Sequence, residues 1–382
     1  MLVVGLLLGM AGCNYLPNYG GGPLFERVAP STTNIRFSND LTYNNSFNIY
    51  TYRNFYAGGG VALGDVNGDG LLDVYLTANQ KSNRLYLNRG DFTFEDVTEK
   101  AGVGGTMPWS TGVSMADVNG DGALDIYVAN SGPFVKPRRE NELFINNGDG
   151  IFTERAQEFG IANVGNSIHS AFFDYDHDDD LDLFVLNNYA SKPIERYNLK
   201  NNLRNTNDER GGDRLYRNDG RTFVEVTEKA GIYNSEIGFG LGVSVGDVNR
   251  DGWMDMYVSN DFFERDYFYI NDKNGGFTEV LSDTLSSIST TSMGGDIADL
   301  NHDGFPEIFV TDMLPRSEER VKTVADFVGW EQFQSEVQMG YHRKFARNTL
   351  HLNNGYGTFS EIGRYAGVEA TGWSWGGAHG GL

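Results

Sequence analysis

Oxygen-bearing side chains at alternate positions of a short loop can wrap one hard cation, and this chain offers that arrangement five times. Positions 1, 3, 5 and 9 of the first nine-residue loop are Asp65, Asn67, Asp69 and Asp73. The same positions hold Asp117, Asn119, Asp121 and Asp125 in the second loop, and Asp174, Asp176, Asp178 and Asp182 in the third. They hold Asp247, Asn249, Asp251 and Asp255 in the fourth, and Asp299, Asn301, Asp303 and Glu307 in the fifth. Position 7 would add a backbone carbonyl, from Leu71, Ala123, Asp180, Trp253 and Phe305 respectively. Ca²⁺ takes about six to eight oxygens, so each loop is a candidate calcium site, five in all. Position 6 is glycine in four loops, as a sharp turn requires, and Asp179 in the third. The third loop is therefore expected to be either the tightest site or the most strained.

The flanks say what positions these loops. Gly-rich apolar stretches precede them, as in Gly60–Gly64 and Gly242–Gly246, and runs of β-branched and aromatic residues follow, as in Val74–Thr77 and Ile126–Val128. A cation loop leading into a helix would look different, so here it joins two strands. Two further strands follow in each repeat, around tips such as Asn146-Asn147-Gly148 and Asn353-Asn354-Gly355 that tolerate positive φ. Loop starts spaced by 52, 57, 73 and 52 residues give the period of a propeller blade. The expectation is an all-β fold, a β-propeller of four-stranded blades. Five complete blades fall at about 58–103, 110–161, 168–232, 238–285 and 291–368, with the start of a sixth at 371–382.

These residues resemble the FG-GAP/VCBS repeat family of calcium-binding β-propellers, as in integrin α-subunit heads. The stretches Asp312–Pro315, Arg347–Gly355 and Thr371–Trp375 are similar, more narrowly, to a Bacteroidetes lipoprotein branch related to cartilage acidic proteins. Relatives there often carry a C-terminal ASPIC/UnbV module, which this sequence does not contain. The resemblance implies calcium at the loops and a larger closed ring in a full-length relative.

Before the blades, Leu2–Met10 is a short apolar core and Met10-Ala11-Gly12-Cys13 resembles a bacterial lipobox. Residues 1–13 are thus expected to be a lipoprotein signal, with Cys13 lipidated. The core is too short to span a bilayer as a helix. Cys13 is the only cysteine, so no internal disulfide can form. Residues 14–24, rich in Gly, Asn and Pro, read as a tether, and Phe25–Val28 as a strand completing the last blade of a closed ring. Thr371–Gly376 reads as the opening strand of a further blade, so the chain looks C-terminally truncated. The expected location is outside the cytoplasm, on a lipid anchor.

With 52 acidic against 30 basic residues the net charge is −22, which excludes a basic nucleic-acid-binding face. Millimolar Ca²⁺ acting on sites of ~0.1 mM affinity would stabilise by about 1.4 kcal/mol per loop. The connections between second and third strands should emerge opposite the calcium loops, and the longest are Asn187–Asp213 and Asp312–Asn348. The first carries Tyr189, Lys192, Arg196 and Tyr197. The second has Val321, Val324, Phe327, Val328, Phe333 and Val337 near helical spacing. With Phe262 and Phe263, Tyr189 and Tyr197 are candidates for a ligand face, since exposed aromatics can stack on sugar rings. No nucleophile elbow, phosphate loop or zinc spacing occurs. The reading is therefore a non-enzymatic module binding a glycan or protein. The alternatives are a calcium-dependent polysaccharide lyase, with a base among Lys192, Arg196 and His342, and a structural propeller supporting an absent ASPIC/UnbV module.

Overall fold

In the computed structural model, residues 26–132, 139–188, 203–324 and 328–376 are described. The lipobox with Cys13, the tether, Tyr189, Lys192, Arg196, Tyr197 and Phe327 lie outside them.

Five four-stranded antiparallel sheets follow one another along the chain. The first is β1 (Val61–Gly64), β2 (Asp73–Leu76), β3 (Arg84–Asn88) and β4 (Phe94–Asp96). The second is β5 (Ser110–Ala116), β6 (Asp125–Asn130), β7 (Glu142–Asn146) and β8 (Phe152–Glu154). The third is β9 (Ser167–Phe173), β10 (Asp182–Asn187), β11 (Arg214–Asn218) and β12 (Phe223–Glu225). The fourth is β13 (Gly240–Gly246), β14 (Asp255–Asn260), β15 (Tyr267–Asn271) and β16 (Phe277–Glu279). In the fifth, β18 (Gly294–Ala298), β19 (Glu307–Thr311), β21 (Thr349–Asn353) and β22 (Phe359–Glu361) pair in that order. A small parallel pair, β17 (Ile288–Ser289) with β20 (Lys344–Phe345), lies beside it. The fold is an all-β, propeller-like stack of blades, as the repeat period predicts.

The period of two along each second strand builds the core. Ile126 and Val128 of β6 pack with Tyr75 and Leu85 of the first blade, while Tyr127 between them packs with Leu183 and Val185 of the third. The same alternation sends Met256 and Val258 of β14 toward the third blade and Tyr257 toward the fifth. Each neighbouring pair of blades thus owns one apolar core. Inner strands meet in the order β1, β5, β9, β13, β18. Their crowding explains the glycines before each loop: a Cβ on Gly112 would stand 2.4 Å from the Ile168 carbonyl oxygen. Among the described residues no core of this kind joins the first blade to the fifth, and Val61 and Leu63 of β1 are 62% and 60% exposed.

Two expectations about the ends need correction. Glu26–Ala29 carry no strand: the chain turns through a short helix, Pro30–Thr33, and Asn34 Nδ2 donates to the Phe94 carbonyl of the outer strand at 3.2 Å. Thr371–Gly376 is not a strand either, yet its backbone runs beside β18, close enough that a Cβ on Gly294 would meet the Trp375 carbonyl at 2.7 Å. The segment from Leu41 to Phe55, unassigned from sequence, crosses the face opposite the loops. Phe47, Tyr52 and Phe55 pack there with Trp109 and Phe239, and Tyr52 donates to Ser131 Oγ at 2.9 Å.

Candidate metal loops and the opposite face

Each loop hangs between an inner strand and the second strand of its blade, and its polar side chains first build the loop itself. In the first, Asp65 accepts the backbone N–H groups of Gly68, Asp69 and Gly70 at 2.8, 3.1 and 2.7 Å. Asn67 Oδ1 accepts Asp69 N–H at 2.9 Å, and Asp69 Oδ1 accepts Leu71 N–H at 2.9 Å. Asp73 is fully buried and takes the N–H groups of Val66 and Asn88 at 3.0 and 2.8 Å, tying loop, second strand and third strand together. Asp117, Asp247 and Asp299 likewise accept the N–H groups at positions 5 and 6 of their loops, and Asp125, Asp182 and Asp255 repeat the pattern of Asp73. Glu307, one carbon longer, accepts the Leu300 N–H at 2.7 Å.

Burial pushes the position-9 carboxyls up, to about 6 for Asp125 and about 7 for Asp182 and Asp255, while their backbone N–H partners pull the other way. Asp73 and Glu307 shift in the same direction for the same reason. Neighbouring carboxylates of the same loop add to the rise. A divalent cation would reverse both penalties, since it supplies positive charge where burial and like charge disfavour carboxylates.

The third loop fits such an ion best. Oxygens of Asp174, Asp176 and Asp182 lie within 4.8 Å of one another, a span that Ca–O distances of about 2.3–2.6 Å can bridge. Asp176 Oδ1 and Asp180 Oδ1 are buried without a hydrogen-bond partner. Asp180, expected to contribute only its backbone carbonyl, instead offers a carboxylate pushed up to about 6 by burial and by Asp178. This loop is also strained: His177 and Asp179 take φ of 60° and 71°, where the first loop has Gly68 and Gly70 at 71° and 84°.

Sequence reading missed how the loops touch. The ring of His177, at position 4 of the third loop, stacks on Trp253, at position 7 of the fourth, with centroids 3.8 Å apart and planes 5° apart. The guanidinium of Arg250, at position 4 of the fourth loop, sits 4.8 Å over Phe305, at position 7 of the fifth. The available signal was a large ring at position 7 where the first two loops have Leu71 and Ala123. The blades are clasped beneath: Asn146, Asn218, Asn271 and Asn353 each donate Nδ2 to the position-2 carbonyl of the preceding loop, at 2.8 to 3.1 Å.

The strand directions put the longer connections on the opposite face, as expected. Phe262 and Phe263 are not free platforms there. Phe262 packs edge-on to Phe239 at 4.7 Å beneath the Arg53 guanidinium, and Phe263 edge-on to Tyr341 at 6.0 Å. Both carbonyls accept the buried Lys344 ammonium, at 3.1 and 2.6 Å. From the Asn187–Asp213 connection, Arg204 pairs with buried Glu264 at 2.7 Å. His342, one of the candidate bases, has its Nε2 3.0 Å from the Leu285 carbonyl oxygen, and burial pulls its pKa down. The helical spacing read between Val321 and Val337 resolves into two helices, Glu318–Val324 and Trp330–Gln338. Among the described residues no helix is long and apolar enough to cross a membrane.

Cartilage acidic protein 1 of Xenopus tropicalis is 29% identical over 217 residues, covering 54% of this chain and 29% of that protein. Human integrin alpha-7 is 40% identical over 85 residues, 19% of this chain and 7% of the integrin. The chain therefore spans under a third of the curated relatives it matches. An Agrocybe aegerita lectin structure, described as recognising non-reducing terminal N-acetylglucosamine, aligns over 78% of this chain and 64% of its own at 16% identity and a TM-score of 0.42, which decides nothing about a ligand. The profile of FG-GAP-like repeats matches residues 65–128, 128–185, 204–258 and 247–310, together more than half of the chain. The chain belongs to the FG-GAP-like repeat family.

Proposed function

We propose that this chain is a calcium-stabilised, lipid-anchored propeller outside the cytoplasm that binds a protein or glycan partner through the face opposite its loops, without catalysing a reaction. The observation that carries the reading is the fivefold recurrence of one loop geometry, each with a buried position-9 carboxylate locking the loop to its blade. Such loops make the blades depend on the ion, and a rigid scaffold then presents variable connections as the place for recognition. The lipobox reading of Cys13 supplies the anchor.

The test uses the full chain with Cys13→Ser, loaded with Ca²⁺ or treated with a chelator, against purified polysaccharides and extracellular protein ligands. Retention and chain cleavage are scored together. Calcium-dependent retention without cleavage is the expected result. Cleavage of a polysaccharide would overturn the binding-module reading, and tight folding indifferent to chelation would overturn the calcium reading.

A further inference from the structure

A cavity of about 730 Å³ opens on the face opposite the loops, under the two helices of the fifth blade's connection. Its walls include Met313, Leu314, Pro315, Val324, Val328 and Trp373. A second cavity of about 340 Å³ abuts it, shares Thr290, Val328 and Ala346 with it, and adds Trp330, Phe333 and Phe345. Trp373 is 67% exposed, Trp330 72% and Val324 59%, which is a large apolar surface for one corner of this face.

The polar atoms of the lining decide what the pocket can take. Asp312 is spent: its carboxylate accepts Ser289 Oγ, Thr291 Oγ1 and the N–H groups of Thr290, Thr291 and Met313. Gln332 Nε2 donates to Glu336 at 2.9 Å, and the Lys344 ammonium is engaged by the carbonyls of Phe262 and Phe263. Few groups remain for sugar hydroxyls, and an oligosaccharide laid here would leave many of them unpaired against aliphatic walls. The charged group left at the mouth is Arg320, which forms no ion pair among the described residues. Two adjoining apolar pockets, with one guanidinium that has no ion pair among the described residues, match two apolar side chains beside a carboxylate.

We propose that this double pocket docks an amphipathic segment of a protein partner, with one apolar anchor in each cavity and an acidic residue against Arg320. The proposal rests on the reading of this face as the binding face and chooses protein over glycan for it. Recognition then follows the helix-in-groove mode, where anchors about one turn apart carry the affinity.

The experiment measures fluorescence anisotropy of labelled twelve-residue synthetic peptides on the calcium-loaded full chain. The peptides carry paired Leu or Phe anchors three or four residues apart, flanked by Glu or by Lys. Glu-flanked peptides are expected to bind. Val328→Lys should weaken them at least tenfold, Trp373→Ala about as much, and Arg320→Gln several-fold for the Glu-flanked set only. Val328 is half exposed, so its variant should keep the wild-type melting temperature; if it does not, Trp373→Ala and Arg320→Gln carry the test. Peptide binding indifferent to all three variants would overturn the docking site while leaving a binding propeller. Neutral oligosaccharides held in a Val328→Lys-sensitive way would overturn the choice of partner. Self-association abolished by Val328→Lys, read by sedimentation, would make the occupant a second copy and sink the proposal. If neither peptides nor oligosaccharides bind the wild-type chain, this proposal and the binding reading of the face fall together.

Discussion

At the residue scale, the informative positions are those where one side chain carries an avoidable cost. Asp179 sits at φ 71° in the third loop, at the turn position that is glycine in the other four. Asp179→Gly should raise stability by about 1 kcal/mol in urea unfolding without changing the Asp174, Asp176 and Asp182 cluster. His351, on β21, is fully buried with Nε2 unpartnered, and burial pulls its pKa down to about 4 from 6.5. The imidazole is then neutral in the fold but protonates in the unfolded chain below pH 6.5. Its contribution to stability is whole above pH 6.5 and is lost as pH falls toward 4, by about 3 kcal/mol at ~1.4 kcal/mol per unit. His351→Leu should make the acid side of the pH–stability curve shallower in that window. An unchanged slope would show that the imidazole does not titrate there.

At the scale of elements, what needs explaining is how separate blades behave as one. Alternation along β6, β10 and β14 shares each sheet between two cores, and the asparagine clasps tie each blade to the loop before it. Asn218 is buried and bonds the Val118 and Leu181 carbonyls while accepting the Gly220 N–H. Asn218→Ala should cost about 2 kcal/mol, because the Val118 carbonyl loses its partner in a buried place. A loss within 0.5 kcal/mol would mean that water replaces the clasp. The loops are coupled above the clasps by the His177–Trp253 and Arg250–Phe305 stacks. An ion ordering one loop would fix a ring on which the next loop rests. Trp253→Ala should therefore weaken Ca²⁺ binding at the third loop as well as the fourth, by several-fold in calorimetric titration. Confinement of the effect to one site would disprove the coupling.

For the whole molecule, the governing quantity is negative charge gathered at one face. With a net charge of −22 and five carboxylate-rich loops, calcium at the proposed sites would supply the counter-charge of that face, and chelation would remove it. At ~1.4 kcal/mol per loop the five loops add about 7 kcal/mol, comparable to the net stability of a domain. Chelation should lower the melting temperature by ~10 °C or more, and Ca²⁺ should restore it where Mg²⁺, which demands near-ideal octahedral geometry, does not. A melting curve indifferent to chelator would show that the backbone N–H groups alone hold the loops.

The local sequence determined the repeat itself: which residues form the blade strands and where the nine-residue acidic loops fall. Those features rest on a period of two along the strands, a nine-residue loop that recurs every 52 to 73 residues, and turn chemistry that each segment dictates for itself. The same locality limited the reading of the opposite face. Phe262 and Phe263 looked free because their partners, Phe239, Arg53 and Tyr341, are distant in the chain. The Leu41–Phe55 segment showed no period because it fills a space that several blades shape together. Only the tertiary structure placed His177 on Trp253, spent the polar lining around Asp312, and set Arg320, without an ion pair among the described residues, on the wall of the larger apolar cavity. Contacts between distant segments follow from how the blades stack, and no local pattern encodes them.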